Sequence, residues 1–373
     1  MIKNTDIDFL QLVGNFCIEG EFIEAVPYGF GHINDTYAAS FKKTDGSSHR
    51  YILQRINNNI FKNPEQLMNN IKLVTGHIKR KLSSQGADYG RQTLSIIDTK
   101  WGQSYYKTDD NKYWRAYEFI EGARTYQIVE NENHLYNAGN AFGKFQKLLS
   151  DFEANSLYEV IPDFHNTRKR YLAFMDAVNA DIFNRASEVQ AEIDFINKRA
   201  QETGKITELL ENNKLPVRVT HNDTKFNNVM IDDITGEGIC VVDLDTVMPG
   251  SSLYDFGDAI RSGTNPADED EKDLSRVSME LRLFEKYTKG YLDATRNVLT
   301  PLEIELLPLG AKLMTLECGI RFLTDYLNGD VYFKIHREGH NLDRCRTQFK
   351  MVEDIEAKWD EMKSIVDKYR QQG

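Results

Sequence analysis

The chain has 373 residues, with 46 Lys+Arg against 57 Asp+Glu and a formal charge of −11. That length predicts two domains or one large bilobed one, and a hydrophobic share of 40% supplies a substantial core, which excludes intrinsic disorder as a class. An acidic chain without a Lys/Arg block argues against non-specific nucleic-acid binding, although a local pocket can override the global field for a small anion.

Cys17, Cys240, Cys318 and Cys345 lie far apart, without disulfide or metal spacing. The opening residues carry acids where a signal peptide needs an apolar run. No stretch approaches the ~18 apolar residues of a membrane span. The expectation is a cytoplasmic protein with no membrane or nucleic-acid partner, monomeric or weakly self-associating.

In chain order, residues 22–41 read as two short strands around a glycine-bearing turn, and 51–56 as a third. A helix is expected over 64–83, opened by Pro64 and carrying Leu67, Ile71, Val74 and Ile78 at helical spacing. Strands follow around 93–98, 103–108 and 113–120, with a boundary at Glu121-Gly122. Beyond it, helical patterns cover 132–150, 165–180, 187–212, 270–292, 301–327 and 340–370, interrupted by short strands at 217–220, 228–231 and 239–243. The layout is a β-rich part over 1–120 and a mainly helical part over 121–373.

The chemistry concentrates in that interruption. Asp223 follows one β-run, Asn228 opens the next and Asp243 ends a third. Tight turns between brief strands bring the three to one sheet edge. Two carboxylates and an amide suit Mg²⁺ carrying a polyphosphate, since Mg²⁺ takes hard oxygen ligands and shares its shell with substrate phosphates. The remaining carboxylate can accept a proton from an attacking hydroxyl. Asp245 reads either as a further metal ligand or as an acceptor supporting that shell.

This pattern, H-x-D-x-x-x-x-N from His221 to Asn228 with an Asp 20 positions after Asp223, resembles the aminoglycoside phosphotransferase and choline kinase family. The resemblance implies an α+β, protein-kinase-like bilobal fold. In it, 1–120 is a nucleotide-binding lobe ending in the hinge, and 121–373 carries the catalytic loop, metal site and acceptor pocket. ATP would be the co-substrate and Mg²⁺ the cofactor. Asp223 becomes the catalytic group, Asn228, Asp243 and Asp245 the metal set, and His221 and Asp255 the structural support of the loop. Gly29, Gly31 and Ile33 would cover the nucleotide, with His32 and Asn34 pointing into the cleft, and Glu118 to Ile120 would read adenine through the hinge backbone.

One departure stands out. Protein kinases place a Lys on the third strand and a Glu on the following helix. Here the strand offers Gln54 and Arg55, with alternation alone unable to say which faces the phosphates. Arg55 is the better candidate because a cation is wanted. The helix has only Glu65 at its start, leaving Asn70, His77 or nothing in the partner's place.

Longer runs, including residues 27–37, 51–64, 220–230, 240–261 and 319–334, are similar to the N-acetylhexosamine 1-kinases. That likeness implies phosphorylation of the anomeric hydroxyl of GlcNAc or GalNAc, with His32, Asp223, Asp243, Arg321 and Tyr332 in contact with the sugar. Kinases of choline, homoserine or aminoglycosides are the alternatives, and a non-catalytic binding protein is the reading from another class. The acids at 268–273 read as a solvated helix start, and 353–370 as an amphipathic helix packed on the helical part.

Overall fold

The computed structural model describes residues 7–29, 31, 33–86, 89–126 and 131–371. Its N-terminal part is a six-stranded antiparallel sheet preceded by α1 (Phe9–Val13). The strands are β1 (Glu21–Pro27), β2 (Asp35–Lys42), β3 (Ser48–Ile56), β4 (Ile96–Ile97), β5 (Tyr106–Lys107) and β6 (Tyr113–Glu118). Their order is β1-β2-β3-β6-β4, with β5 also paired to β6. Between β3 and β4 lies α2 (Pro64–Ser84).

Period-two alternation gives this sheet two different faces. Tyr51, Leu53, Trp114 and Ala116 pack under α1 with Phe16 and Phe41. Ile56, Tyr113 and Tyr117 face the opposite way, onto Leu67, Ile71, Val74 and Ile78 of α2. The apolar spacing expected for that helix is therefore its buried face.

The chain leaves the sheet after Glu118 and at once forms β7 (Ala123–Arg124) in a second sheet, ordered β10-β9-β7, with β9 (Val229–Asp232) and β10 (Gly238–Val241). A third pairing joins β8 (Arg218–Thr220) to β11 (Met248–Gly250). Around these pack α3 (Glu132–Leu148), α4 (Thr167–Ala180), α5 (Gln190–Asn197), α6 (Lys205–Glu211), α7 (Ser252–Gly263), α8 (Leu281–Thr295), α9 (Pro301–Glu305), α10 (Leu307–Leu327), α11 (His340–Ala357) and α12 (Trp359–Arg370). A sheet-rich N-terminal part followed by a helical C-terminal part makes the class α+β.

Glycine lets the helices of this part meet backbone to backbone. A Cβ on Gly290 of α8 would lie 2.1 Å from the Tyr136 carbonyl oxygen of α3, and one on Gly257 of α7 would lie 2.3 Å from that of Gly310 in α10. Ile355, Met362 and Val366 are buried, so the C-terminal amphipathic segment packs on the helical part.

Several boundaries differ from expectation. The pattern at 187–212 is not one helix: it breaks into α5 and α6 around a short 3₁₀ turn and Gly204. The 301–327 pattern divides at Leu306, because Pro308 in the first turn of α10 cannot donate to a continuing helix. The 340–370 pattern divides at Lys358. Helix α7, capped by the Ser251 side-chain oxygen accepting from the Leu253 amide, falls where no element is expected. The acids at 268–273 precede α8 without starting it: Asp270 is drawn to Arg337 (2.6 Å) and His340 (2.9 Å), and Glu269 to Arg261 (3.1 Å).

Candidate functional site

The His221–Asn228 segment begins where β8 ends. Asn222 takes a left-handed backbone (φ 64°), which turns the chain sharply before Asp223. Asp255, buried in the first turn of α7, accepts the amides of both His221 (2.9 Å) and Asn222 (2.8 Å). Gln146 of α3 donates to the same carboxylate at 3.0 Å. From the other side the His165 ring lies 3.1 Å from the Asn222 carbonyl oxygen and 2.8 Å from Glu317, whose second oxygen accepts from Thr167 at 2.6 Å. The loop is thus fixed by α3, α4, α7 and α10 together.

Within it, Asp223 meets Lys225 at 2.9 Å, and the Asn228 amide donates to the Asp223 carbonyl (2.7 Å) and carboxylate (3.1 Å). Burial opposes charge on Asp223, but Lys225, assisted by His221 and Arg261, outweighs it and holds the carboxyl below the ordinary carboxylate range. Asp223 is therefore ionised and aimed. Lys225, two residues on, lies inside the motif yet carries no signal of its own in the sequence.

Asp243 follows β10 in a left-handed turn (φ 58°). The His221 ring, 2.8 Å from the Val242 carbonyl oxygen, and the Val242 amide, donating to the Asn228 carbonyl at 2.9 Å, stitch this turn to the loop. Among the described residues the Asp243 carboxylate has no hydrogen bond or ion pair. Enclosure in the cleft, then the like charges of Asp245 and Asp223, push it up to about 7. The Asn228 side chain directs its N–H at Asp223, which leaves its oxygen to ligate a cation. An under-compensated carboxylate beside a free amide oxygen is an all-oxygen set that fits a hard divalent ion. No three His, Cys, Asp or Glu side chains among the described residues form a self-contained metal cage.

Asp245 is placed differently. One of its oxygens takes Arg115 at 2.5 Å and the other the Asn34 amide at 2.6 Å, so both are engaged by protein partners. Of the two readings the sequence leaves open for Asp245, this placement favours the supporting acceptor. The cation at the head of the cleft is Arg115 of β6, fully buried, and not Arg55. Gln54 lies opposite Arg115 in the β3–β6 register, accepts from its Nε at 3.0 Å and donates to Thr36 at 2.9 Å. Arg55, one residue on, is turned to the other face and pairs with Asp35 at 2.5 Å. Neither helix candidate meets Arg115. Asn70 donates to the carbonyls of Tyr158 (2.7 Å) and Val247 (3.0 Å), while His77 pairs with Asp151 at 3.0 Å.

Gly29 has φ 80°, and a Cβ added at Gly29 or Gly31 would meet no atom within 4 Å, so this turn keeps an open backbone face. Ile33 is exposed, and its carbonyl accepts from Asn57 at 3.1 Å. His32 lies outside the described residues. At the expected hinge, the Glu118 side chain meets His49 at 2.7 Å. The amides of Glu118 and Phe119 are taken by the Ser95 (2.9 Å) and Arg50 (3.2 Å) carbonyls, whereas that of Ile120 has no partner among the described residues. Ile120, Ala123, Met230 and Cys240 form a separate apolar floor there.

At the opposite end, α10 presents Glu317, Arg321 and Asp325 four residues apart on one face. Glu317 holds His165. Asp325 accepts the amides of Val331 (3.0 Å), Tyr332 (2.7 Å) and Phe333 (2.9 Å), which shapes the loop bearing the exposed Tyr332. The Arg321 guanidinium lies 5.3 Å from the Phe164 ring, 5.5 Å from Phe333 and 6.0 Å from Tyr332.

Residues 24–276 match the model of the APH phosphotransferase enzyme family, more than half of the chain. Among solved structures, a microcompartment-associated aminopropanol kinase superposes with a TM-score of 0.55 at 12% identity, over 94% of this chain and 97% of its own. An amicoumacin kinase in complex with AMP-PNP and Ca²⁺ gives 0.56 at 14% identity, over 92% of each chain. An ethanolamine kinase from Plasmodium vivax gives 0.52 at 15%, over 88% of this chain and 82% of its own. At these identities the likeness is one of fold.

Proposed function

The chain belongs to the APH phosphotransferase enzyme family, and on that premise we propose that it transfers the ATP γ-phosphate to the anomeric hydroxyl of an N-acetylhexosamine, giving the sugar 1-phosphate. The observation that carries the kinase reading is Asp223, kept ionised by Lys225 and hydrogen-bonded to Asn228, beside the under-compensated Asp243. A non-catalytic binding protein has no use for such a crowding of like charge. The sugar assignment rests on the similar runs and on the acceptor end, where Arg321 and the exposed Tyr332 ring offer a donor and a platform suited to a neutral polyol.

In this reading 1–120 is the nucleotide lobe and 121–373 the lobe bearing the loop and acceptor pocket. The open glycine turn at Gly29 and Gly31 lies over the phosphates, and the free Ile120 amide meets adenine above the apolar floor; His32 is kept as a sugar contact on the sequence resemblance alone. Asn228 and Asp243 would hold Mg²⁺, which when bound neutralises charge on the β- and γ-phosphates. Asp223 orients the acceptor hydroxyl and takes its proton, while Lys225 is placed to stabilise a transferring phosphoryl group. In a loose transition state positioning and electrostatics do most of the work. ³¹P NMR of the protein with Mg·ATP and GlcNAc or GalNAc tests the assignment: a sugar 1-phosphate resonance growing with ADP supports it. ADP formed only with choline, homoserine or kanamycin would replace the acceptor.

A further inference from the structure

Arg170 of α4 and Arg321 of α10 share an unusual property. Among the described residues, they are the two arginines withdrawn from full exposure that have no ion pair, in a chain whose acids outnumber its bases. The nearest acids are already committed: Asp163 to Lys169 (2.7 Å), and Glu317 to His165 and Thr167. Both guanidiniums converge on Phe164. Arg170 donates to its carbonyl oxygen at 3.0 Å, and Arg321 lies 5.3 Å from its ring. The Arg170 Nε is buried with no hydrogen-bond partner among the described residues. Burial, and then the like charge of Arg321, weaken the hold of Arg170 on its proton. Phe164 precedes His165, which touches the carbonyl next to Asp223, so the pair belongs to the acceptor end of the site.

Two like charges close enough to act on each other, neither in an ion pair among the described residues and one with an orphaned buried N–H, are well matched to an oxyanion, which guanidinium forks bind through paired N–H groups. We propose that Arg170 and Arg321 form an anion subsite at the far end of the acceptor pocket, so that the acceptor class includes hexosamine derivatives carrying a phosphate or carboxylate remote from the anomeric hydroxyl. This rests on the sugar-kinase reading for the acceptor's identity, though not for the subsite's existence.

Isothermal titration in saturating Mg·AMP-PNP, which fills the triphosphate site, compares GlcNAc, GlcNAc 6-phosphate and the corresponding uronic acid on wild type, Arg170→Gln and Arg168→Gln. Arg168 is the exposed neighbour and serves as the control for folding. The expected result is an affinity for an acidic sugar about tenfold above GlcNAc, lost in Arg170→Gln and kept in Arg168→Gln. A preference for the 6-phosphate alone or the uronate alone identifies the oxyanion accepted. Equal affinity ratios in wild type and Arg170→Gln, or weaker binding of both acidic sugars than of GlcNAc, overturns the proposal. Inorganic phosphate titrated under the same conditions separates the two readings: if no hexosamine binds, the sugar assignment falls, while Arg170-dependent phosphate binding still upholds the subsite and its absence removes it.

Discussion

Arg115 Nη1 lies 2.5 Å from Asp245 Oδ1, joining the strand before the hinge to the turn after Asp243 across 130 residues of sequence. Burial opposes charge on Arg115, and Asp245 more than offsets it, holding the guanidinium firmly protonated. A buried pair is weak evidence of net stabilisation, yet breaking it strands a charge. Arg115→Met and Asp245→Asn are each expected to lose about 3–5 kcal/mol in urea unfolding, with the double variant losing much less than the sum. Additive losses would show that the two groups act independently.

Asp223→Asn keeps the shape of the loop while removing the proton acceptor. Turnover is expected to fall at least ~10²-fold with nucleotide affinity little changed. Steady-state kinetics with a nucleotide-binding titration checks the split, and near-normal kcat would take Asp223 out of its role.

The Asp243 carboxyl has a folded-state value of about 7, above the ~3.9 of an unfolded aspartate. Its ionisation therefore penalises the fold: stability is fully present below the unfolded value and is lost as pH rises through 7. Asp243→Asn cannot ionise. In the absence of divalent ions its Tm is expected to exceed wild type at pH 8 and to approach it at pH 5. Thermal scans with and without Mg·ATP check this, since the nucleotide complex should favour wild type at pH 8.

Asp232 shows the opposite sign. It accepts the amides of Thr235 (2.7 Å) and Ile234 (2.9 Å) and meets Arg91 at 2.8 Å, and these bonds lower its carboxyl to about 2. Its contribution is present above the ordinary aspartate range and lost as pH falls through 2. Acid unfolding of Asp232→Asn should have a shallower limb between about pH 4 and pH 2 than wild type.

Gly257→Ala would drive a methyl into the Gly310 carbonyl, 2.3 Å from the Cβ position, where backbone faces backbone and nothing flexible can yield. A loss of about 1–3 kcal/mol or more is expected, with turnover reduced as well, because α7 carries Asp255. Chemical denaturation and kcat on the same preparation test the linkage.

The motif around Asp223 is legible in the sequence because its spacing is local: a turn and one short 3₁₀ helix join His221 to Asn228. Arg115 is not. It stands between Trp114 and Ala116 in a strand that reads as hinge, and its partners Gln54, Met68 and Asp245 come from three distant segments. The alternation that turns Arg55 away and Gln54 inward is a matter of strand phase, which a nine-residue strand polar at both faces does not declare. Helix α7 is not among the elements read from the sequence, and Ser251 is identified as its cap only once its side-chain oxygen is seen to accept from the Leu253 amide. Arg321 is picked up only through the likeness of the 319–334 run, and Arg170 carries no pattern at all; what marks it is a buried Nε without a partner among the described residues.

The face of α10 that carries Glu317, Arg321 and Asp325 acts as a ruler. At ~1.5 Å per residue, about 12 Å separates the residue that steadies the catalytic loop from the one that shapes the Tyr332 loop. In the proposed reading, both ends of the acceptor pocket are marked off along one rigid rod. Adding a single residue between them would do more than lengthen the pocket: it would swing its outer lip by about 100° around the rod, away from the reacting hydroxyl. Evolution toward larger acceptors must then proceed by whole helical turns or through the loops beyond Leu327, where length can change without rotation.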